Sequence, residues 1–268
     1  MACRGANRNL ETAAETIVQT AATVETKTAA QNYNFMVGVD TVLQADDLLQ
    51  NNLIHFDWVA KNKSYPNFWG RYLTGENCLT KEEIQFLHSK GCKILPVYKD
   101  FSVKETEEQG KLHAKKIALI AMQLGIKEGT AIFLELPETF RVTRDYLKGY
   151  ALGMFSEGYV PGFKANTDAK YIFDVEYSRG IRSDKELFKK CLIWSVSPNI
   201  KQYERTDNSH FIHPDYWGPF APSGITRDDI AIWQYGIQCH PINDDSGVET
   251  SFNMNLVKNP NIIIKNMF

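Results

Sequence analysis

The sequence lacks the marks of several classes of protein. Its five cysteines are scattered, odd in number and without a Cys-x-x-Cys pair. This pattern argues against a zinc site or a disulfide framework, and it favours synthesis in a reducing compartment. The formal net charge is −2 and no strongly basic block is present. The electrostatic footprint of a nucleic-acid-binding protein is therefore missing.

Long apolar runs are also missing. No stretch approaches the roughly 18 apolar residues that a membrane span needs. Arg4, Arg8 and Glu11 interrupt the N-terminus where a signal peptide would be apolar. We therefore expect synthesis in the cytoplasm, followed by action at the cell wall or after a non-standard route of export. A leader removed from the sequence would produce the same pattern.

Three motifs that would point to other chemistry do not occur. Residues 38–43 read Gly-Val-Asp-Thr-Val-Leu, so no Gly-rich dinucleotide turn follows the first predicted strand. His-Glu-x-x-His and Gly-x-Ser-x-Gly are absent as well. A redox or nucleotide-dependent enzyme is therefore a distant alternative, and we expect neither a metal ion nor an organic cofactor.

What the sequence does contain begins with an unusual N-terminal segment, residues 1–32. From Leu10 to Ala30 it is mostly Ala, Thr, Glu, Gln and Val, without aromatic residues, glycine or proline. A thin apolar stripe at helical spacing comprises Leu10, Ala13, Ala14, Ile17, Ala21 and Val24. The threonines weaken helix propensity. The segment is predicted to be a marginal helix or flexible arm, either a plain linker or a docking element for a protein partner.

From Tyr33 onwards, apolar strands alternate with helices. The predicted strands are Phe35–Asp40, Phe68–Leu73, Cys92–Tyr98, Thr130–Glu135, Tyr159–Phe163, Cys191–Val196 and Asp229–Tyr235. The predicted helices are Ala45–Val59, Thr80–Gly91 with a Thr80/Glu83 capping box, Gly110–Gly125, Thr143–Gly158 and one ending near Lys190. This alternation indicates a mostly parallel sheet. We predict a (β/α)8 barrel of the TIM type, with some irregularity, over residues 33–268, in preference to an open Rossmann-like sheet.

The working groups of a parallel barrel lie at the C-terminal ends of its strands. This rule selects Asp40, Tyr98, Asp100, Glu135, Glu138, Trp194, Trp233, Gln234 and Tyr235. Carboxylates that meet in an aromatic-walled cleft are what glycoside hydrolysis requires. We expect Asp40 and Glu135 to be the core carboxylates and Glu138 to be the candidate proton donor. The aromatic residues would form sugar-facing walls, with Gln234 as a hydrogen-bonding group. The alternative for each acid alone is a helix cap or a partner for a basic neighbour.

The strand endings also resemble a known family. The matching pieces are Val37–Asp40, Phe68–Tyr72, Gly91–Tyr98, the Ala-rich helix ending at Leu124-Gly125, Ala131–Glu135, Gly158–Gly162, Ile193–Trp194 and Ile232–Tyr235. In this order and spacing they resemble the glycoside-hydrolase-like barrel domain related to the Chalaropsis-type lysozymes, which are peptidoglycan muramidases. The resemblance covers roughly residues 35–257. It implies hydrolysis of peptidoglycan or a related amino-sugar polymer, without a cofactor.

The sequence departs from the lysozyme pattern at two positions. Asp40 matches the acid that ends the first strand in that family. The family's Asp-x-Glu pair, whose Glu is the catalytic acid, corresponds here to Glu135-Leu-Pro137, with Glu138 one residue further on. Either Glu138 takes the role of the acid, or Glu135, which is one methylene longer than Asp, is the acid itself. Its later Asp-x-Asn element corresponds to Asn253-Met-Asn255, which makes Asn253 a candidate substrate-binding amide.

These departures keep other interpretations open. A catalytically altered barrel that binds glycan or protein is the main alternative. Such a barrel would suit a phage or injection apparatus, with residues 1–32 as its attachment arm. Asp174-Val-Glu176 also has the letters of the catalytic pair, but it follows the fifth predicted strand instead of ending the fourth. We expect it to have no catalytic role.

Overall fold

The computed structural model describes residues 35–60, 65–99, 102, 104–139, 141–200, 214–240, 247–248 and 250–268. Within these ranges the chain forms eight strands, seven of which correspond to predicted strands with shifted ends. They are β1 (Met36–Asp40), β2 (Phe68–Tyr72), β3 (Lys93–Lys99), β4 (Ala131–Leu136), β5 (Val160–Ala165), β6 (Leu192–Ile200), β7 (Ile232–Cys239) and β8 (Phe252–Val257). The predicted arm over residues 1–32 lies outside the described residues.

The strands close into a barrel in chain order, and β8 returns to the side of β1. Strands β1 to β7 pair in parallel, which confirms the predicted barrel. Strand β8 is antiparallel to both β7 and β1, unlike the last strand of a regular (β/α)8 barrel. An antiparallel return needs no crossover helix. The part of the β7–β8 connection that the structure describes contains none.

Six α-helices are described between the strands. They are α1 (His55–Ala60), α2 (Lys81–Ser89), α3 (Glu107–Leu124), α4 (Arg144–Ser156), α5 (Ile172–Ser183) and α6 (Lys185–Phe188). Their positions confirm the predicted helices except over the first half of Ala45–Val59. Among the described residues, no helix combines the length and the apolarity that crossing a membrane requires.

The segment before α1 forms a turn where a helix was predicted. Leu48 and Ile54 make an antiparallel bridge around it. Asn52 takes a left-handed φ of 60°, and the Asn51 side chain accepts a hydrogen bond from the Leu53 N–H. Asparagine side chains compete in this way with helical hydrogen bonds and tolerate left-handed backbone. The helix therefore begins only at His55.

Glycines and aromatic rings complement each other inside the barrel. Gly38 and Gly162 leave the space that the Phe68 and Phe133 rings fill, because a Cβ at either glycine would overlap the facing ring. The interior cluster comprises Phe68, Leu95, Val97, Ala131, Phe133, Trp194, Ala231, Ile232, Val257, Ile263 and Met267. The barrel is thus a packed core rather than a pore, as expected for eight strands. Functional groups must lie above this core.

A buried ion pair ties loops near the C-terminal ends of β1 and β2. Arg71 Nε, on β2, donates to Glu83 Oε1, on α2, at 2.6 Å. The other two guanidinium nitrogens of Arg71 donate to the carbonyls of Thr41 and Asn77. Glu83 Oε1 also accepts from the Ala45 N–H. One side-chain pair therefore fixes the backbone of both loops.

The same pair changes the predicted capping box at the start of α2. The Thr80 hydroxyl accepts a hydrogen bond from the Glu83 N–H, which confirms Thr80 as the N-cap. The Glu83 side chain turns toward Arg71 and does not complete the box. Burial raises the pKa of Glu83, although the Arg71 guanidinium counteracts this. A charged partner in the interior outweighs the local capping preference.

Helices α3 and α4 approach so closely that only glycine fits at their contact. A Cβ at Gly149 would overlap the carbonyl oxygen of Glu107. We therefore expect Gly149→Ala to lower the free energy of unfolding by about 1–3 kcal/mol, the usual cost of overpacking. Urea unfolding measures this change. Ser156→Ala, at an exposed site on the same helix, is the matched control and should change stability little. Equal stability of the two variants would contradict the close packing.

His55 should make the fold sensitive to acid. Burial lowers the pKa of His55 from 6.5 to about 4, although the hydrogen bond with the Gln44 carbonyl works against this. Because the folded state resists protonation, stability is complete above pH 6.5 and is lost as the pH falls toward 4. The His55 contribution amounts to about 3 kcal/mol. Urea unfolding at pH 7 and pH 4.5 measures the loss.

A variant can separate the contribution of His55 to the pH dependence of stability from that of other titrating groups. His55→Asn keeps a donor near the Gln44 carbonyl and removes the titration, so its stability should depend less on pH than that of the wild type. His88→Asn, at an exposed position, should retain the wild-type pH dependence. An unchanged pH dependence in His55→Asn would show that His55 is not the responsible group.

Candidate functional site at the barrel mouth

The barrel mouth is formed by inward-facing side chains at the C-terminal ends of the strands. Successive residues of a strand alternate between its two faces. The residues two positions after Val97, Phe133 and Gly162, which lie in the core, therefore also point into the barrel. Those later positions hold Lys99, Glu135 and Lys164. The same alternation brings Asp40 on β1 and Tyr72 on β2 to the mouth.

Asp40 lies at the centre of this group and is fully buried. Lys164 Nζ donates to its Oδ2 at 2.5 Å. Since β1 and β5 are on opposite sides of the eight-stranded barrel, this contact must cross the interior. Asn253 Nδ2 donates to Oδ2 at 2.9 Å, and Asn255 Nδ2 donates to Oδ1 at 2.8 Å. Both carboxylate oxygens are therefore occupied by protein donors.

The environment of Lys164 keeps it charged. Burial works to lower the pKa of Lys164, but Asp40, Tyr72 and Glu135 together raise it above its ordinary value. Its ammonium nitrogen also lies 4.9 Å from the centre of the Trp194 ring. Such cation–π contacts favour a cation that has lost its water. Lys164 and Asp40 consequently form a permanent ion pair within the barrel.

Gly70 and Trp194 complete the support of Asp40. A Cβ at Gly70 would lie 2.6 Å from Asp40 Cβ and 2.8 Å from Trp194 Cη2, so only glycine leaves room for both. Trp194 Nε1 donates to Asn255 Oδ1 at 2.8 Å, which orients the amide toward Asp40. The Asp40 carboxylate is held in one position from several sides.

Glu135 has a different environment from Asp40. Its side chain is 19% exposed, and its Oε2 lies 3.8 Å from Lys99 Nζ, whose side chain is 35% exposed. Burial raises the pKa of Tyr72, so that it remains a phenol, and the nearby charge of Glu135 adds to this shift. No hydrogen-bond partner for the buried Glu135 Oε2 occurs in the described part of the chain. Glu135 is therefore positioned by the protein and still partly accessible.

A cleft opens at the surface beside Tyr72 and Lys99, two neighbours of Glu135. It has a volume of about 520 Å³, within the range of small-ligand sites. Its lining residues come from the ends of β2 and β3 and the loops after β1 and β2; they are Val42, Tyr72, Thr74, Gly75, Glu76, Asn77 and Lys99. We call it the β2–β3 cleft. Tyr72 and Lys99 connect it to Glu135.

Glu138 lies in the turn after β4 and is exposed. Asn166 Nδ2, at the end of β5, donates to its Oε1 at 2.5 Å. The structure thus places Glu138 on the outer rim, paired with a neighbouring loop, and does not bring it together with Asp40. Its predicted role as proton donor stays a prediction.

The aromatic walls expected from the sequence need correction. Tyr98, Trp194, Trp233 and Tyr235 are at most 1% exposed, so they pack inside the protein and do not face an open cleft. Trp194 belongs to the barrel interior, while Trp233 Nε1 donates to the carbonyl of Ser197. Both faces of a barrel strand are buried, one in the barrel and one beneath the helices. An aromatic residue near a strand end is therefore covered on either face.

The remaining predicted residues have mixed outcomes. Gln234 is buried, and its Oε1 has no hydrogen-bond partner among the described residues. Asp100 lies outside the described residues. Asp174 and Glu176 lie on α5, where they accept hydrogen bonds from the backbone N–H groups of Ser223 and Arg144. Within the described ranges, no group of three or more His, Cys, Asp or Glu side chains could hold a metal ion.

Lys99, Lys164, Tyr72 and Asn255 were not predicted from the sequence. A usable signal existed for Lys164, because it is the one charged residue in the strand Val160-Pro-Gly-Phe-Lys-Ala165. A lysine in an otherwise apolar strand predicts a buried acidic partner. The partner itself is 124 residues away in the sequence, so local patterns do not identify it.

Comparison with known proteins assigns the chain to a family. The sequence pattern of the family described as "Rv2525c-like, glycoside hydrolase-like domain" matches residues 60–248, more than half of the chain. The chain belongs to this family. The matched region includes Lys99, Glu135, Glu138 and Lys164, whereas Asp40 on β1 and the two asparagines on β8 lie outside it.

Solved structures share the fold of this glycoside hydrolase-like domain. An uncharacterized B. stearothermophilus protein, with a 1.07 Å crystal structure, aligns with a TM-score of 0.69 and 24% identity over 87% of this chain and 100% of its own. The virulence factor GHIP of Streptococcus pneumoniae, a glycosyl hydrolase 25 participating in host cell invasion, aligns with a TM-score of 0.50 and 14% identity over 86% of this chain and 92% of its own. A search of curated proteins found no match.

The central ion pair of this glycoside hydrolase-like domain can be tested by removing one charge. Lys164→Met would leave the buried Asp40 carboxylate without its counter-ion, and we expect the free energy of unfolding at pH 7 to fall by about 3–5 kcal/mol. Urea unfolding followed by circular dichroism measures the change.

The double variant Asp40→Asn/Lys164→Met provides the control. It removes both charges and should recover most of the stability lost by Lys164→Met alone. It also keeps the test meaningful if the single variant does not fold. A double variant as unstable as the single one would show that Lys164 acts through packing and not through its charge.

Proposed function

We propose that this glycoside hydrolase-like domain cleaves the β-linked amino-sugar polymer peptidoglycan, with Glu135 as the proton donor. The observation that carries the proposal is the position of Glu135. It is a partly exposed carboxylate at the barrel mouth, and it lies beside Tyr72 and Lys99, which line the β2–β3 cleft. A general acid must reach the leaving oxygen before its acidity matters. Glu135 meets this geometric condition better than the fully buried Asp40.

The burial of Asp40 determines which mechanism fits. Its oxygens are occupied by Lys164, Asn253 and Asn255, so it cannot attack the anomeric carbon without breaking these contacts. Some glycosidases use the 2-acetamido group of the substrate as the nucleophile instead. Such a mechanism needs one accessible acid from the protein and an N-acetylated sugar from the substrate.

The proposed reaction then has two steps. Protonated Glu135 gives its proton to the glycosidic oxygen as the bond from that oxygen to C1 breaks, while the acetamido oxygen forms a bond to C1. Water next attacks C1, displaces the acetamido oxygen and returns a proton to the Glu135 carboxylate. The Asp40–Lys164 pair keeps the floor of the site rigid and contributes no net charge.

Release of soluble sugar from purified peptidoglycan between about pH 4 and pH 8 tests the proposal. Glu135→Gln should lower the rate by about 10²–10⁴-fold, the usual contribution of a general acid. Glu186→Gln, at an exposed site on α6, is the matched control and should retain the wild-type rate. A larger loss in Glu138→Gln than in Glu135→Gln would assign the acid to the residue on the rim.

A second candidate function is glycan binding without turnover. It is favoured by the same burial of Asp40 and by Pro137, which stands where the lysozyme pattern has its catalytic acid. This function predicts that the wild type sediments with insoluble peptidoglycan but releases nothing from it at any pH in the range. The release assay and the binding assay together separate the two functions.

A further inference from the structure

A second cavity is formed by the segments that follow β3, β4 and β5, on the C-terminal side of the barrel. It has a volume of about 510 Å³, within the range of small-ligand sites. Val142 and Ile172 line it and also border a small recess that contains Glu138 and Asn166. The cavity therefore adjoins the rim of the barrel mouth. We call it the rim cavity. Its charged lining residues are Glu105, Arg141, Arg144, Asp145, Glu176 and Arg179.

Four of these six charged side chains are paired within the protein. Arg144 donates through Nε and Nη2 to Asp145 Oδ1, at 2.9 and 2.6 Å. Arg179 Nη1 donates to Glu176 Oε1 at 2.5 Å, and the Arg144 N–H, at the start of α4, donates to Glu176 Oε2 at 2.9 Å. Two arginines and two acids therefore balance one another, and they offer a ligand no net charge.

The remaining two charged residues, Glu105 and Arg141, have no such partners. Both are exposed. Over the described residues, neither the Glu105 carboxylate nor the Arg141 guanidinium forms a hydrogen bond or an ion pair. The two groups line the same cavity but do not pair with each other. A cavity with one unpaired cation and one unpaired anion is complementary to a ligand that carries both charges.

The backbone beside Glu105 and Arg141 is fixed by contacts between two loops. Lys104 and Val142, which are their chain neighbours, form a parallel bridge. The Thr143 N–H donates to the Lys104 carbonyl at 3.1 Å, and the Thr143 hydroxyl donates to the Glu105 carbonyl. A site whose backbone is already ordered loses less conformational entropy when a ligand binds. The two unpaired charges are therefore presented from a prepared frame.

We propose that the rim cavity binds the peptide branch of peptidoglycan, with Arg141 binding a carboxylate and Glu105 binding an ammonium group of that branch. This inference rests on the proposed function and adds a second binding site for the same substrate. Guanidinium and carboxylate groups form strong, charge-assisted hydrogen bonds, often two at once. An N-acetylated glycan carries no ammonium group, whereas peptide branches can carry both charges. Because the cavity adjoins the rim, a glycan strand at the mouth would carry its branches past it.

Isothermal titration calorimetry on the full chain, with free peptides and no glycan, tests this inference. The probe is the tripeptide N-acetyl-L-Ala-γ-D-Glu-meso-diaminopimelate, whose side chain ends in a carbon that bears both an ammonium and a carboxylate group. In two matched ligands, that amine is acetylated or that carboxylate is amidated. We expect each modification to weaken binding by about fivefold, the upper range for an exposed ion pair. High salt should reduce both differences.

Substitutions assign each charge of the peptide to its residue. Arg141→Met should remove the difference between carboxylate and amide while keeping the difference between free and acetylated amine. Glu105→Gln should have the reverse effect. Arg182→Met and Glu108→Gln change exposed residues outside the cavity, and both should keep the two differences.

The outcomes distinguish this inference from the proposed function. Equal or absent binding of the three peptides by the wild type would overturn the inference, even if the protein releases sugar from peptidoglycan. Two differences that survive both Arg141→Met and Glu105→Gln would overturn it as well. Peptide binding as expected, together with no release of sugar, would support the rim cavity as a peptide site and contradict cleavage.

Discussion

The barrel mouth depends on one interaction, the ion pair between Asp40 and Lys164. The two side chains come from opposite sides of the barrel and meet above an apolar core. Taking both charges out of water is costly unless the remaining polar atoms are also paired. Asn253 and Asn255 supply the missing donors to Asp40. Gly70 leaves the space in which the pair and the Trp194 ring fit.

This pair separates two acids that the sequence alone treats as equivalent. Asp40 has its oxygens occupied and no access to solvent, so it acts as a structural anion. Glu135 is 19% exposed and lies beside Lys99 and Tyr72, which line the β2–β3 cleft. Different environments thus give two carboxylates at neighbouring strand ends different capacities for chemistry. Of these two acids, only Glu135 is open to solvent.

The sequence predicts the parts of this arrangement that depend on local order. Strand and helix alternation predicts the barrel, and strand ends identify Asp40 and Glu135. Local patterns do not predict that Lys164 pairs with Asp40 across the barrel, because chain positions so far apart meet only once the barrel closes. Local patterns also do not predict that Trp194 and Trp233 are covered. In a strand that is buried on both faces, inward and outward residues are equally apolar, so the sequence does not distinguish them. The antiparallel strand β8 is not predicted, because its position depends on pairing with the open edges of β1 and β7.

The described part of the barrel mouth contains an enclosed pair, Asp40 with Lys164, and a partly exposed pair, Glu135 with Lys99. The Asp40–Lys164 pair is enclosed, so a substrate cannot compete for either partner. Lys99 and Glu135 are both partly exposed. An enclosed ion pair next to partly exposed charged groups allows the mouth to stay folded while part of it remains open to solvent. Burial of Asp40 therefore does not close the whole barrel mouth.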